Sequence, residues 1–159
     1  MTRQVTIVCG PPCAGKTTWV RERAQAGDLV VDYDDIAQSL GSARTHGHHP
    51  KFHRDTERII AQQLDQITLG KAKRAWVIRS FPAHAERERL AQRIGATSVV
   101  LLDDSDETLQ ARAWERPNRY QAIRAIEAWR SKAAAADPEY ARPPERVEQA
   151  FDRPSPGAP

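Results

Sequence analysis

The stretch GPPCAGKTTW, Gly10–Trp19, places a loop with few side chains directly before a lysine and two hydroxyl residues. An apolar run, QVTIVC, precedes it, and the helix-forming segment KTTWVRERAQA follows the second glycine. Glycines allow such a loop to curl so that successive backbone N–H groups face one point, and the dipole of the following helix adds positive potential there. The stretch therefore predicts an anion-binding loop between a buried strand and a helix.

The spacing G-x-x-x-x-G-K-T is the Walker A pattern, whose lysine contacts the outer phosphates of a nucleotide and whose Ser or Thr hydroxyl holds Mg²⁺. We therefore predict that the loop binds ATP with Mg²⁺, with Lys16 on the phosphates and Thr17 as the metal ligand. The alternative is a plain Gly/Pro turn, which the Lys-Thr pair disfavours. The predicted donor site comprises Gly10, Pro11, Pro12, Cys13, Ala14, Gly15, Lys16, Thr17 and Thr18.

Cys13 stands where a glycine is often found in such loops. The favoured interpretation is an inert small residue. The alternative is a reactive thiol, because the positive surroundings of an anion-binding loop favour a thiolate and would lower the pKa of Cys13.

Strand-like and helix-like segments alternate along the chain at intervals that suit parallel crossover units. The sequence predicts an α/β fold of the P-loop NTPase type: a three-layer sandwich with a small parallel sheet of about four strands, helices on both faces and an arginine-bearing lid. Residues 1–136 are predicted to form this domain. The Pro-rich segment 137–159 is predicted to be a flexible tail, with one turn of helix at 146–151.

The composition fits a soluble domain that handles phosphate groups. The 159 residues carry a net charge of +3, which is compatible with a phosphorylated partner. No apolar run approaches the roughly 18 residues of a membrane-spanning helix, and no signal peptide is recognisable. Both cysteines, Cys9 and Cys13, lie in or beside the loop, so a disulfide framework is disfavoured and a cytoplasmic location is predicted.

Three aspartates, Asp32, Asp34 and Asp35, follow the second predicted strand in LVVDYDDIAQSL. Transfer of phosphate to a hydroxyl requires a carboxylate near the attacking oxygen, and the carboxyl ends of parallel strands meet at one edge of the sheet. We therefore predict that at least one of the three is catalytic. The alternative role is capping of the following helix, for which one aspartate suffices.

Arginines cluster in LQARAWERPNRYQAIR. Arg112 and Arg116 lie one helical turn apart, and Pro117 then interrupts the helix before Arg119. This arrangement predicts a lid that brings guanidinium groups onto the transferring phosphate. A solvated basic helix face is the alternative.

The loop, the segment YDDIAQSL and the Arg112/Arg116 pair together resemble the P-loop kinases of the nucleotide and polynucleotide kinase group. The chain is most similar to the 5′-hydroxyl polynucleotide kinase domains of phages and bacteria, over about residues 6–129. The resemblance implies that Asp34 is the general base, that Arg116 contacts the transferred phosphate and that Arg112 packs beside the adenine.

Two positions depart from that group. Ala37 occupies the place of an arginine that holds the acceptor's 3′-phosphate, and the third strand ends at Arg79-Ser80 where the group has an aspartate. Arg79 is a hypothetical substitute for the missing positive charge. The predicted acceptor-side residues are accordingly Asp32, Asp35, Arg79 and Arg119.

The favoured function is transfer of the γ-phosphate of Mg-ATP to a hydroxyl of a nucleic acid or nucleoside. A nucleoside monophosphate kinase remains open and would require a basic pocket around Arg44, Arg54 and Arg79. A nucleotide-binding or ATPase module without transfer also remains open. The histidine-rich segment 46–53 lacks the cysteines and spaced carboxylates of a zinc site, so it is predicted to be a loop near the acceptor mouth.

Overall fold

The computed structural model describes residues 2–137 and, as backbone, the strand at 147–152. Strands and helices alternate along the chain, with a short 3₁₀ turn at Pro50–Phe52 before the third helix. The strands are β1 (Gln4–Cys9), β2 (Leu29–Val31), β3 (Arg74–Ile78), β4 (Ser98–Asp103) and β5 (Val147–Asp152). The helices are α1 (Lys16–Arg21), α2 (Tyr33–Ser39), α3 (His53–Thr68), α4 (His84–Ile94), α5 (Asp106–Trp114) and α6 (Arg119–Ala136).

The five strands form one sheet in the order β2-β3-β1-β4-β5. The first four of these are parallel, which confirms the predicted small parallel sheet. Because β1, β2 and β3 run in the same direction, the loop after β1, the aspartates after β2 and Arg79 after β3 all lie at one edge of the sheet.

Strand β5 corrects the prediction for the C-terminal segment. The sequence predicts one turn of helix at 146–151, whereas Val147–Asp152 pairs antiparallel with β4 along its whole length. So short a segment gains little as an isolated helix, while β4 would otherwise present unpaired backbone groups at the sheet edge. The predicted flexible tail otherwise covers residues 138–146 and 153–159, which lie outside the described part of the chain.

Side chains alternate across β1 between two apolar layers. Val5 and Ile7 belong to the layer that α3 and α4 cover, whereas Val8 packs in the layer that includes Val20 of α1. Full burial of each such side chain contributes about 1.5–3 kcal/mol relative to exposure. A third cluster contains Cys13 with residues of α5 and α6, and so ties the loop after β1 to the predicted lid.

Gly10 begins that loop at a point where no other residue fits. Its φ is 151°, and a Cβ atom there would lie 1.9 Å from the carbonyl oxygen of Leu102. We expect Gly10→Ala to lower the free energy of unfolding by about 4 kcal/mol, because the backbone of β4 or of the loop must shift. Urea denaturation measures this change.

Gly70→Ala is the matched control. Gly70 also has a positive φ, 74°, but nothing lies within 4 Å of a Cβ atom built there. Backbone strain alone costs about 1–2 kcal/mol for one residue in the left-handed region. Equal losses for the two variants would contradict the assigned role of the contact with Leu102.

Candidate active site

The loop after β1 closes around the side chain of Lys16. Its Nζ donates hydrogen bonds to the carbonyl oxygens of Gly10, at 2.8 Å, and Pro11, at 2.7 Å. Gly15 adopts a left-handed conformation, φ 88°, directly before α1. Desolvation of the ammonium lowers the pKa of Lys16 to about 8. The cation is therefore held in the loop by neutral carbonyl oxygens, and within residues 2–137 no carboxylate forms an ion pair with it.

Cys13 is a structural residue of the loop. It has a φ of 68°, and its side chain is buried among Leu109 and Ala113 of α5 and residues of α6. Desolvation raises the pKa of the Cys13 thiol, although Arg116, Lys16 and Arg112 act in the opposite direction. This burial agrees with the favoured interpretation as an inert residue and not with the alternative of a lowered pKa, because the thiol faces the apolar contact with α5 and α6.

Both thiols are expected to resist modification in the folded protein. Cys9 is buried in the sheet, where desolvation raises its pKa to about 12, and Cys13 is buried as described above. The thiolate is the reactive form, so iodoacetamide at pH 7.5 should modify neither thiol in buffer and both in urea. Mass spectrometry of the alkylated protein checks this. Rapid modification of Cys13 in buffer would contradict its placement.

Thr17 and Asp32 connect the loop to the end of β2. The Thr17 hydroxyl donates to Asp32 Oδ2 at 2.9 Å, and Asp32 Oδ1 accepts from the backbone N–H of Asp34 at 3.1 Å. Asp32 is therefore the N-cap of α2, as one predicted role required. It is also buried, and desolvation followed by the charges of Asp35 and Asp34 raises its pKa despite the bond from Thr17.

The oxygens of Thr17 and Asp32 fit Mg²⁺. Hydroxyl and carboxylate oxygens are the ligands that this ion prefers, and a cation would offset the crowding of negative charge that raises the pKa of Asp32. Within residues 2–137, no group of three His, Cys, Asp or Glu side chains is arranged to hold a metal. A bound ion would therefore take its remaining ligands from nucleotide phosphates and water.

Asp34 lies between two histidines of the following loop. His46 Nδ1 is 2.8 Å from Asp34 Oδ2, and His48 Nε2 is 2.9 Å from Asp34 Oδ1. Desolvation alone would raise the pKa of this carboxyl, but the hydrogen bonds and charges of His46 and His48 outweigh it and hold the pKa below its ordinary value. The sequence predicts a histidine loop near the acceptor mouth, and the spacing His-Gly-His is the signal for this pair that sequence reasoning missed.

The other acceptor-side predictions have mixed outcomes. Asp35 and Arg79 line the same cleft as Asp34, although Asp35 pairs with Arg21 at 3.0 Å and Arg79 lies 3.7 Å from Glu57. Ala37 lies on the buried face of α2 and is not part of the cleft lining.

The arginines of the predicted lid occupy three different positions. Arg112 donates to the carbonyl oxygen of Cys13 and pairs with Asp104, both at 3.1 Å, which fixes it beside the loop. Arg116 lines the cleft. Arg119 does not: its guanidinium lies over the ring of Trp114, 5.2 Å from the centroid. The predicted acceptor-side role of Arg119 is therefore not supported by its position.

One cleft of about 940 Å³ contains these groups. Its walls are the loop with Lys16 and Thr17, the start of α2 with Asp32 and Asp34, the end of β3, and α6. Helix α6 contributes Ala125, Ala128, Trp129 and Lys132, which the sequence did not assign to the site. The Trp129 indole donates to the carbonyl oxygen of Ser80, which joins this helix to the segment after β3.

Arg130 fixes the position of α6. It donates to both carboxylate oxygens of the buried Asp103, at 2.6 and 3.0 Å, and its Nε donates to Asp106 at 2.6 Å. Desolvation of the guanidinium is outweighed by these carboxylates, so the pKa of Arg130 is raised. These charge-assisted hydrogen bonds therefore anchor α6 to the end of β4 and the start of α5.

Comparison with known proteins agrees with this fold. Residues 5–135 match the family described as AAA domain, and no curated protein matches the chain. A chain in the structure of the Pnkp1/Rnl/Hen1 RNA repair complex superposes with a TM-score of 0.54 at 12% identity, over 92% of this chain and 48% of that one. The present chain thus spans about half the length of that relative.

A presumed kinase from Chloroflexus aurantiacus superposes with a TM-score of 0.49 at 17% identity, over 100% of this chain and 85% of that one. None of the described helices is long and apolar enough to cross a membrane. Because the family match covers most of the sequence, the chain belongs to the AAA-domain family, and the loop after β1 and the parallel sheet form a P-loop fold.

Proposed function

We propose that this domain is an ATP-dependent kinase that transfers the γ-phosphate of Mg-ATP to the 5′-hydroxyl of a polynucleotide. The observation that carries the proposal is the cleft of about 940 Å³ whose lining includes Lys16, Thr17 and Asp34. Asp32 links the two sides, because one of its oxygens bonds to Thr17 and the other to the backbone of Asp34. The hydrogen bonds of Asp32 thus connect Thr17, on the proposed donor side, with the backbone of Asp34, on the proposed acceptor side.

Each charged group on the donor side has a role in this proposal. Lys16 and Arg116 neutralise negative charge on the transferring phosphate, and Arg112 lies at the side where the adenine packs. Thr17 and Asp32 would hold Mg²⁺, which would offset negative charge on the phosphate oxygens. Asp34 is the carboxylate that orients the attacking hydroxyl and promotes the removal of its proton.

The arginines predicted for a monophosphate pocket do not form one in this cleft. A monophosphate kinase of that kind would need Arg44, Arg54 and Arg79 free and turned into the cleft. Arg44 instead donates to the carbonyl oxygen of Gly47, Arg79 lies beside Glu57, and Arg54 is not part of the cleft lining. A polynucleotide comes first among hydroxyl acceptors because the superposed relative belongs to an RNA repair complex.

The test is the fate of the label from γ-labelled ATP with Mg²⁺. We expect label on a 5′-hydroxyl oligonucleotide of DNA or RNA and none on the same oligonucleotide with a 5′-phosphate. Nucleosides and nucleoside monophosphates are offered in parallel. Label in a nucleoside diphosphate alone, or release of free phosphate without any labelled acceptor, would contradict the proposal.

A further inference from the structure

A chain of hydrogen bonds runs from the buried side of the histidine loop to the cleft. The Ser42 hydroxyl lies 2.6 Å from His48 Nδ1, His48 Nε2 lies 2.9 Å from Asp34 Oδ1, and Asp34 Oδ2 lies 2.8 Å from His46 Nδ1. The sequence alone predicts none of these hydrogen bonds. Both carboxylate oxygens of Asp34 are therefore already bonded to imidazole nitrogens.

The direction of each bond follows from the chemistry of the groups. An ionised carboxylate only accepts, so His46 Nδ1 and His48 Nε2 must both carry hydrogens. In a neutral ring the other nitrogen is then an acceptor, so His48 Nδ1 accepts from the Ser42 hydroxyl. By the same rule, His46 Nε2 is an acceptor.

Burial distinguishes the two histidines. The side chain of His48 is 2% exposed, and it is enclosed between Ser42 and Asp34. The side chain of His46 is 33% exposed, and the residue lines the cleft that holds Lys16 and Thr17. Only His46 is therefore accessible to an acceptor molecule.

The turn between the two histidines is formed by Gly47, which packs against the start of α6. Gly47 has a φ of 60°, and a Cβ atom there would lie 2.7 Å from the side chains of Asn118 and Gln121 at the start of α6. The loop is thus seated closely against the helix that forms the opposite wall of the cleft. This contact fixes the two histidines relative to Asp34.

We propose that His46 is the proton acceptor of the transfer reaction, with Asp34 as its orienting carboxylate and His48 as the residue that positions Asp34. The inference rests on the proposed function and deepens it. The acceptor oxygen forms a bond to the γ-phosphorus as the bond from that phosphorus to the β-bridging oxygen breaks, and ADP leaves. The hydroxyl proton passes to His46 Nε2, and the resulting imidazolium is paired with Asp34.

Proton transfer to His46 agrees with these hydrogen bonds better than direct proton transfer to Asp34 does. Two N–H donors stabilise the ionised carboxylate and so weaken it as a base. A carboxylate that accepts from Nδ1 holds the ring in one tautomer and stabilises the imidazolium that forms at Nε2.

The first test is His46→Asn. The asparagine amide takes the place of Nδ1 and still donates to Asp34, but it has nothing in the place of Nε2. We expect kcat with a 5′-hydroxyl oligonucleotide to fall about 10²- to 10⁴-fold, with ATP affinity unchanged. His84→Asn is the matched control, because His84 is exposed at the start of α4 and is not part of the cleft lining.

Added imidazole separates chemistry from structure. In His46→Ala, imidazole in the buffer should restore transfer in proportion to its concentration, whereas a purely structural role would leave the variant inactive. For the positioning residue, His48→Gln keeps a donor in the place of Nε2 and should retain most of the activity. His48→Ala should lose at least about 10-fold in kcat.

The outcomes distinguish the two proposals. If the wild type labels no hydroxyl acceptor, the proposed function fails and this inference fails with it. If the wild type transfers label and His46→Asn matches its kcat, or imidazole does not rescue His46→Ala, the inference is overturned while the proposed function stands.

Discussion

Lys16→Ala is expected to reduce phosphoryl transfer by about 10³-fold or more, to the limit of detection. The ammonium of Lys16 is the cation that the loop itself encloses, and it donates to the carbonyl oxygens of Gly10 and Pro11. A triphosphate in the loop would exchange these neutral partners for anionic oxygens, which bind an ammonium more strongly. The loss should therefore appear in both ATP affinity and kcat.

Lys71→Ala is the matched control for this variant. Lys71 is exposed between α3 and β3 and is not part of the cleft lining, so transfer should remain at the wild-type rate. Urea denaturation of both variants establishes that the fold is retained. Transfer by Lys16→Ala within ten-fold of the wild type would refute the assignment of the loop as the phosphate site.

Asp34→Asn is expected to lower kcat for transfer by about 10³- to 10⁴-fold and to leave ATP affinity within a few-fold. The carboxylate contacts His46 and His48 on the proposed acceptor side, whereas the loop with Lys16 is the proposed donor site. An amide removes the negative charge and presents an N–H to one of the two histidines. That histidine must then change tautomer or rotate.

Calorimetric titration with ATP and initial rates with a 5′-hydroxyl oligonucleotide separate the two effects. Asp65→Asn is the control. Asp65 is exposed on α3, pairs with Arg93 and is not part of the cleft lining. A variant at Asp34 that keeps the wild-type kcat would show that the carboxylate is not part of the reaction. Loss of ATP affinity with unchanged kcat would place Asp34 on the donor side instead.

The loop and the parallel sheet could be predicted because their signals are local. The spacing from Gly10 to Thr17 fixes a strand, an anion-binding turn and a helix within a few residues, and the apolar runs after it mark the remaining strands. The order of the parallel strands then brings Asp32 to the loop, since the carboxyl ends of β1 and β2 lie at one edge.

The parts that sequence reasoning missed depend on contacts between distant segments. Strand β5 is specified by the free edge of β4 more than by its own composition, and α6 lines the cleft because Arg130 is held by Asp103 and Asp106. The spacing His-Gly-His marks His46 and His48 as a pair, but that local pattern does not show that they will meet Asp34. Arg119 is a further contact that the sequence does not predict, since its guanidinium lies over Trp114 and outside the cleft lining.

The central claim is that one cleft brings a bound triphosphate and an acceptor hydroxyl together between Lys16 and the Asp34 carboxylate. A crystal structure with a non-hydrolysable ATP analogue, Mg²⁺ and a 5′-hydroxyl oligonucleotide tests this most directly. We predict polyphosphate against the loop amides and Lys16, and the 5′ oxygen in line with the γ-phosphate and within hydrogen-bond reach, about 2.6–3.2 Å, of His46 Nε2. A triphosphate bound elsewhere, or a 5′ end that lies away from both His46 and Asp34, would contradict the claim.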